Sequence, residues 1–186
     1  MNSKPRTRAD WPAAPLFASP AAGFALRFAL LTGLALFVYD YPHAKDSLLR
    51  ACLEFSNRLY AQAAGTLVTL FDAQASVRDN VILGRFPVAV DRGCDALEVQ
   101  APLAAAILAF PAPWRLRAGG AALGVALIWV VNVLRIASLY FAGTVSAAFF
   151  ETMHVDVWPV ALVVLAAAAF ALWSAFPCGS FSRRSR

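Results

Sequence analysis

Residues 118–142 read AGGAALGVALIWVVNVLRIASLYFA, and this stretch decides the fold. About 20 predominantly apolar residues suffice for a helix to cross some 30 Å of hydrocarbon. The run is long enough, and Arg135 is its one charge. Asn132, Arg135 and Ser138 recur at intervals of three, so they share a helix face. A guanidinium inside a span costs about 2.5–3.5 kcal/mol on insertion scales, so such residues are usually paired or functional. The polar face is therefore expected to look into a bundle, away from lipid.

Working outward, three more segments approach spanning length. Ala21 to Tyr39 carries Arg27, which sits near one end and can snorkel to the headgroups. Ala96 to Trp114 carries Glu98 and Gln100 near its start, and Val155 to Phe176 has Asp156 at its leading edge. The whole chain is 60% hydrophobic and only 15% charged, with a mean hydropathy of +0.63. Soluble proteins are closer to half apolar and a quarter charged. The expected fold is an all-α polytopic membrane protein with about four transmembrane helices.

The net charge of +5 does not indicate nucleic acid, because Lys and Arg form no periodic stripe. They mark topology instead. Lys4, Arg6 and Arg8 precede the first span; Arg115 and Arg117 separate the second from the third; Arg183, Arg184 and Arg186 follow the fourth. With four spans all eight fall on one side, which the positive-inside bias makes cytoplasmic. Both termini then lie in the cytoplasm of a bacterial cell, with the 41–95 segment facing the periplasm. The first span lacks a clear A-x-A site after its apolar run, so it reads as an uncleaved anchor rather than a signal peptide. Residues 1–19 and 178–186 read as tails, the first disordered and the second basic. Residues 20–177 read as one membrane-embedded domain.

The outer segment divides in two. From Ser47 to Phe71, apolar residues recur at i, i+3 and i+4 while Arg50, Glu54, Asn57 and Arg58 take other faces, which predicts an amphipathic helix on the bundle or the outer leaflet. From Ala75 to Asp91, short β-branched runs around Asp79-Asn80 and Gly84 predict a small β-hairpin delivering the chain into Gly93-Cys94.

Three residues suited to acyl transfer fall at one membrane level. Cys94 immediately precedes the second span, where a helix N-terminus or a nearby cation favours the nucleophilic thiolate. Asp95 and Glu98 resemble a capping box there, although their charge opposes thiolate formation. Alone, Cys94 reads more readily as a small buried residue or as half of a disulfide with Cys52 than as a nucleophile, and the company of Arg135 and His154 reverses that; no two cysteines share a C-x-x-C spacing. Arg135 can stabilise a developing oxyanion, or pair with Glu98. His154, just before the last span, is placed to take a proton from Cys94 and return it to a leaving amine. His43 is positioned less well, and Asp156 is two residues from His154, an awkward spacing for orienting its ring. Asn132, Glu98 and Ser138 are the candidate supporting residues. Nothing in the sequence calls for a metal or cofactor.

The stretch Gly93-Cys94-Asp95-Ala96-Leu97-Glu98, then Asn132-Val133-Leu134-Arg135-Ile136, then His154 before a last apolar span, resembles the exosortase/archaeosortase family, most closely its short members called exosortase H. The likeness covers about residues 75–176. It departs at Ala96, where the family commonly has Gly. The resemblance implies a membrane-embedded cysteine protease or transpeptidase that cleaves C-terminal sorting signals of exported proteins through a thioacyl-enzyme. It also implies a nucleophile at Cys94, an oxyanion or positioning group at Arg135 and a base at His154. The partners would be secreted proteins ending in a motif (IPTLxxWG-type for the short members), a transmembrane helix and a basic tail. The competing class is a non-enzymatic membrane subunit of an export or exopolysaccharide assembly machine, with Arg135 structural. A solute carrier fits less well, because no repeat or broken-helix pair is evident. The acceptor, the choice of transfer or hydrolysis and the oligomeric state leave no mark in the sequence.

Overall fold

The structure is a computed structural model, and it describes residues 19–42, 44 and 47–182. Residues 1–18 and 183–186, and His43, lie outside the described residues. The chain runs α1 (Pro20–Asp40), α2 (Leu48–Thr69), β1 (Ser76–Arg78), β2 (Val81–Leu83), β3 (Val88–Ala89), α3 (Leu97–Ala109), α4 (Trp114–Val145), α5 (Ala147–Glu151), a π-helical turn (Thr152–Val157) and α6 (Trp158–Ser182).

Among the described residues, three helical stretches are long and apolar enough to cross a membrane: Pro20–Asp40, Trp114–Val145 and Ala147–Ala175. The second expected span differs. Its helix covers only Leu97–Ala109, 13 residues, or about 20 Å at 1.5 Å per residue. The apolar count ran on to Trp114, but Pro111 and Pro113 cannot continue a helix, and the chain turns at Phe110. This short helix still matches α1 along its length. Asp95, just before α3, meets Tyr39 near one end of α1, and Phe110, just after α3, meets Phe24 near the other, with ring centroids 6.3 Å apart. Phe170 and Trp173 of α6 complete an aromatic cluster with Phe24 and Phe110. The start of α1 and the later part of α6 therefore lie together at the end of the bundle opposite Cys94.

The outer region also gains a strand over the expected hairpin. β1, β2 and β3 form an antiparallel sheet in that order, pairing Val77 with Ile82 and Ile82 with Val88. Asp79 takes a positive φ of 54° in the β1–β2 turn, a conformation that Asp tolerates better than most residues. The third strand escaped notice because two residues carry no readable alternation.

α2 is the amphipathic helix expected. Its buried face is Asn57, Tyr60, Ala61, Ala64, Gly65 and Val68, of which Tyr60, Ala61, Ala64 and Val68 pack with Ile82 and Val88 of the sheet and with Val133, Ile136 and Tyr140 of α4. Arg50 and Glu54 pair on its exposed face at 2.8 Å. Gly65 permits this approach, since a Cβ there would collide with Val77.

One buried polar knot ties sheet to bundle. Tyr140 donates to Asp72 Oδ2 at 2.8 Å and accepts the Arg85 backbone N–H at 2.9 Å, while Arg85 Nε lies 3.3 Å from the same carboxylate. The Tyr140 hydrogen bond, with help from the Gln74 N–H and the Arg85 charge, holds the Asp72 carboxyl below its ordinary pKa. A depressed folded-state pKa adds stability that is complete above the unfolded value and is lost as pH falls through the folded one. Tyr140→Phe is expected to lower the apparent melting temperature in detergent by roughly 2–8 °C near neutral pH, with the deficit shrinking as pH falls through the Asp72 pKa, read by thermal-shift gel filtration across pH. An unchanged transition would show that the knot contributes nothing.

Candidate active site

The segment Asp91–Ala96 carries the thiol through two unusual backbone positions. Gly93 takes a φ of 84° and Ala96 a φ of 54°, so the chain turns sharply on both sides of Cys94. A glycine suits the first position; at Ala96 the left-handed geometry costs about 1–2 kcal/mol. The Cys94 N–H bonds the Asp91 carbonyl at 2.9 Å and closes the turn. Helix α3 follows with Ala96 as its N-cap, so the expected capping box is absent. Asp95 Oδ1 accepts the Leu97 N–H at 3.2 Å, and Glu98 is exposed.

α4 grips this turn from inside the bundle. Asn132, 0% exposed, donates from Nδ2 to the Cys94 carbonyl. Arg135, 3% exposed, donates from both Nη1 and Nη2 to the Gly93 carbonyl at 3.3 Å, and from Nη1 to Asn132 Oδ1 at 3.2 Å. Its Nε is buried without a partner among the described residues. No ion pair joins Arg135 to Glu98, so the charge sequence reasoning offered as its partner is replaced by a backbone carbonyl and an amide. Ser138, one turn on, serves a different neighbour: its hydroxyl donates to the Arg135 carbonyl at 2.7 Å and accepts from Trp158 Nε1 at 3.0 Å.

The π-helical turn brings in the imidazole. Trp158 N–H reaches the Met153 carbonyl, five residues back, so the turn is one residue wider than an α-turn. His154 reaches the turn before α3, its Nε2 3.7 Å from Cys94 Sγ, while Trp158 reaches α4 and bonds Ser138. Phe150 packs against the His154 ring at 5.4 Å. Asp156 is exposed and makes no hydrogen bond to His154.

The structure thus brings together Cys94, His154, Asn132 and Arg135, sets Ser138 one step behind, and leaves Glu98 outside. Cys52 and Cys94 are both free thiols. Sequence reasoning missed the Gly93 carbonyl, Trp158, and Tyr39, whose hydroxyl donates to the Asp95 carboxylate at 3.0 and 3.2 Å. Of these only Trp158, four residues after His154, left a readable spacing.

Burial pushes the Cys94 thiol above its ordinary pKa; the Arg135 charge and the backbone contact to Asp91 pull the other way without overcoming it. At rest near neutral pH the group is a thiol beside an imidazole, an arrangement able to generate a thiolate by proton transfer to the ring. The alkylation rate of Cys94 by iodoacetamide is expected to rise with a midpoint above the ordinary value of about 8.5, and to shift higher in Arg135→Gln. A midpoint below that value would contradict the buried-thiol description.

A polytopic bundle with a thiol, an imidazole and a buried guanidinium at one helix end is the class that fold and site define. The family description "Transmembrane exosortase (Exosortase_EpsH)" matches residues 11–174, and the chain belongs to that family. No curated protein and no solved structure matches the chain.

Proposed function

We propose that this protein is a membrane-embedded cysteine transpeptidase that cleaves C-terminal sorting signals of exported proteins. The observation that carries the reading is the 3.7 Å approach of Cys94 Sγ to His154 Nε2 beside a buried, partly unpartnered Arg135. His154 takes the Sγ proton as sulfur attacks the scissile carbonyl carbon. The resulting oxyanion is stabilised by the Arg135 guanidinium, whose Nε–H has no competing partner among the described residues. Collapse breaks the C–N bond, the imidazolium gives its proton to the leaving amine, and a thioester remains on Cys94. An acceptor amine, a hydroxyl or water then attacks the thioester. Its proton passes to His154 and on to the departing sulfur, restoring the starting state.

The basic residues support a bacterial inner-membrane setting with both termini cytoplasmic and the site facing the periplasm. Arg117 sits at the bundle end opposite Cys94, donating to the Leu108 carbonyl at 2.9 Å, as the positive-inside bias requires of a cytoplasmic end. The substrates proposed are secreted proteins bearing a short motif, an apolar helix and a basic tail. The test is co-expression with an exported reporter ending in such a signal: the protein should shorten the reporter, and persistence of the full-length form beside a well-accumulated protein would count against the reading.

A non-enzymatic subunit is the second reading, favoured by the double donation of Arg135 to the Gly93 carbonyl, which also makes it a strut. Under that reading a substitution at Cys94 is silent.

A further inference from the structure

A polar basin lies against the turn that carries Cys94, on the side lined by α2. Its two lobes, about 380 and 340 Å³, share Glu54, Asn57 and Asp91. Such volumes suit small ligands. The basin's floor is Asn57, only 8% exposed, whose Oδ1 is buried with no hydrogen-bond partner among the described residues. An orphaned buried carbonyl is unfavourable, and a ligand donor would relieve it. Asp95, 2% exposed, lines the first lobe from the catalytic turn.

The walls indicate the ligand's chemistry. Four carboxylates (Glu54, Asp79, Asp91, Asp95) and three guanidiniums (Arg50, Arg58, Arg92) line the two lobes. Arg50 is engaged by Glu54 at 2.8 Å, and Asp91 accepts from Asn80 at 3.3 Å. A cationic ligand would meet the guanidiniums and an anion the carboxylates. Among the described residues no His, Cys, Asp and Glu group is arranged to hold a metal ion. A hydroxyl both donates and accepts, so one ring of hydroxyls satisfies Asn57 Oδ1, the carboxylates and the arginines together.

We infer that the basin between α2 and the Asp91–Asp95 turn binds a neutral, hydroxyl-rich ligand such as a sugar ring, with Asn57 Oδ1 accepting one of its hydroxyls. This inference does not depend on the cysteine chemistry, and its readout needs no turnover, so it stands or falls apart from the transpeptidase reading.

The experiment is saturation-transfer NMR on the full chain in nanodiscs with glucose, mannose and N-acetylglucosamine as probes, and with ethylammonium and inorganic phosphate as charged probes. At least one saccharide is expected to bind, with affinity reduced about tenfold or more in Asn57→Leu. Should that variant fail to accumulate, Glu54→Ala, on the exposed face of α2, is expected to weaken the same saccharide severalfold. Transfer to none of the three sugars, binding of the charged probes alone, or undiminished sugar binding in the variants would overturn the inference.

Discussion

Cys94→Ala is expected to abolish shortening of the co-expressed reporter, with a loss of at least about a thousandfold, while the protein accumulates in the membrane at its normal level. The size follows from removing the proposed nucleophile, since loss of a nucleophile removes the chemical step and leaves only what binding and oxyanion stabilisation supply. Normal accumulation follows from the surroundings. The thiol is half-buried beside His154, and the contacts that fix the turn are made by the Gly93 and Cys94 carbonyls, which alanine keeps. Cys94→Ser tests the same point more finely. It keeps a hydroxyl near the imidazole but removes the more nucleophilic sulfur, so it too should fail. Processing at an ordinary rate by a well-accumulated Cys94→Ala protein would leave the non-enzymatic reading standing.

Arg135→Lys is the second large effect, expected to cost about 10²–10³ in processing rate, the scale of losing an oxyanion donor. The charge survives this change, but the geometry does not. Arg135 spans the Gly93 carbonyl and Asn132 Oδ1 while keeping a third donor, Nε, uncommitted. An ammonium is a compact point charge without that planar fork. Arg135→Ala should add a folding defect, because it leaves the Gly93 carbonyl and Asn132 without their partner in the interior. The contrast is diagnostic: a purely structural Arg135 predicts that processing falls only in step with protein abundance, whereas a chemical role predicts that activity per molecule falls in Arg135→Lys.

Much of the bundle was legible because lipid imposes a coarse requirement, long apolar runs, that leaves coarse marks. The exception was α3. Phe110, Pro111, Ala112 and Pro113 are apolar in composition yet end the helix through backbone chemistry, so hydropathy overstated its length. Cys94, Arg135 and His154 stood out for a related reason: each is a chemically costly or reactive group set against an apolar background. Their company was harder to read. The Gly93 carbonyl is a main-chain group and leaves no mark in a sequence. Tyr39 and Asp95 are 56 residues apart, and only the packing of α1 against α3 joins them. Glu98 was chosen by charge complementarity alone, but a backbone carbonyl and Asn132 satisfy Arg135 in its place. Nor does the π-helical turn, which carries His154 ahead of Trp158, announce itself in residue types.

The most direct test of whether sulfur, imidazole and guanidinium form one reacting centre is to trap the acyl-enzyme. Protein purified after co-expression with the reporter would be denatured in acid, digested, and the peptide containing Cys94 weighed by mass spectrometry. A fraction of that peptide is expected to carry the carboxyl end of the shortened reporter through a thioester. Neutral hydroxylamine should release the adduct, and His154→Ala should prevent its formation. A shortened reporter produced with no adduct at Cys94, or an adduct that forms equally well without His154, would contradict a single reacting centre.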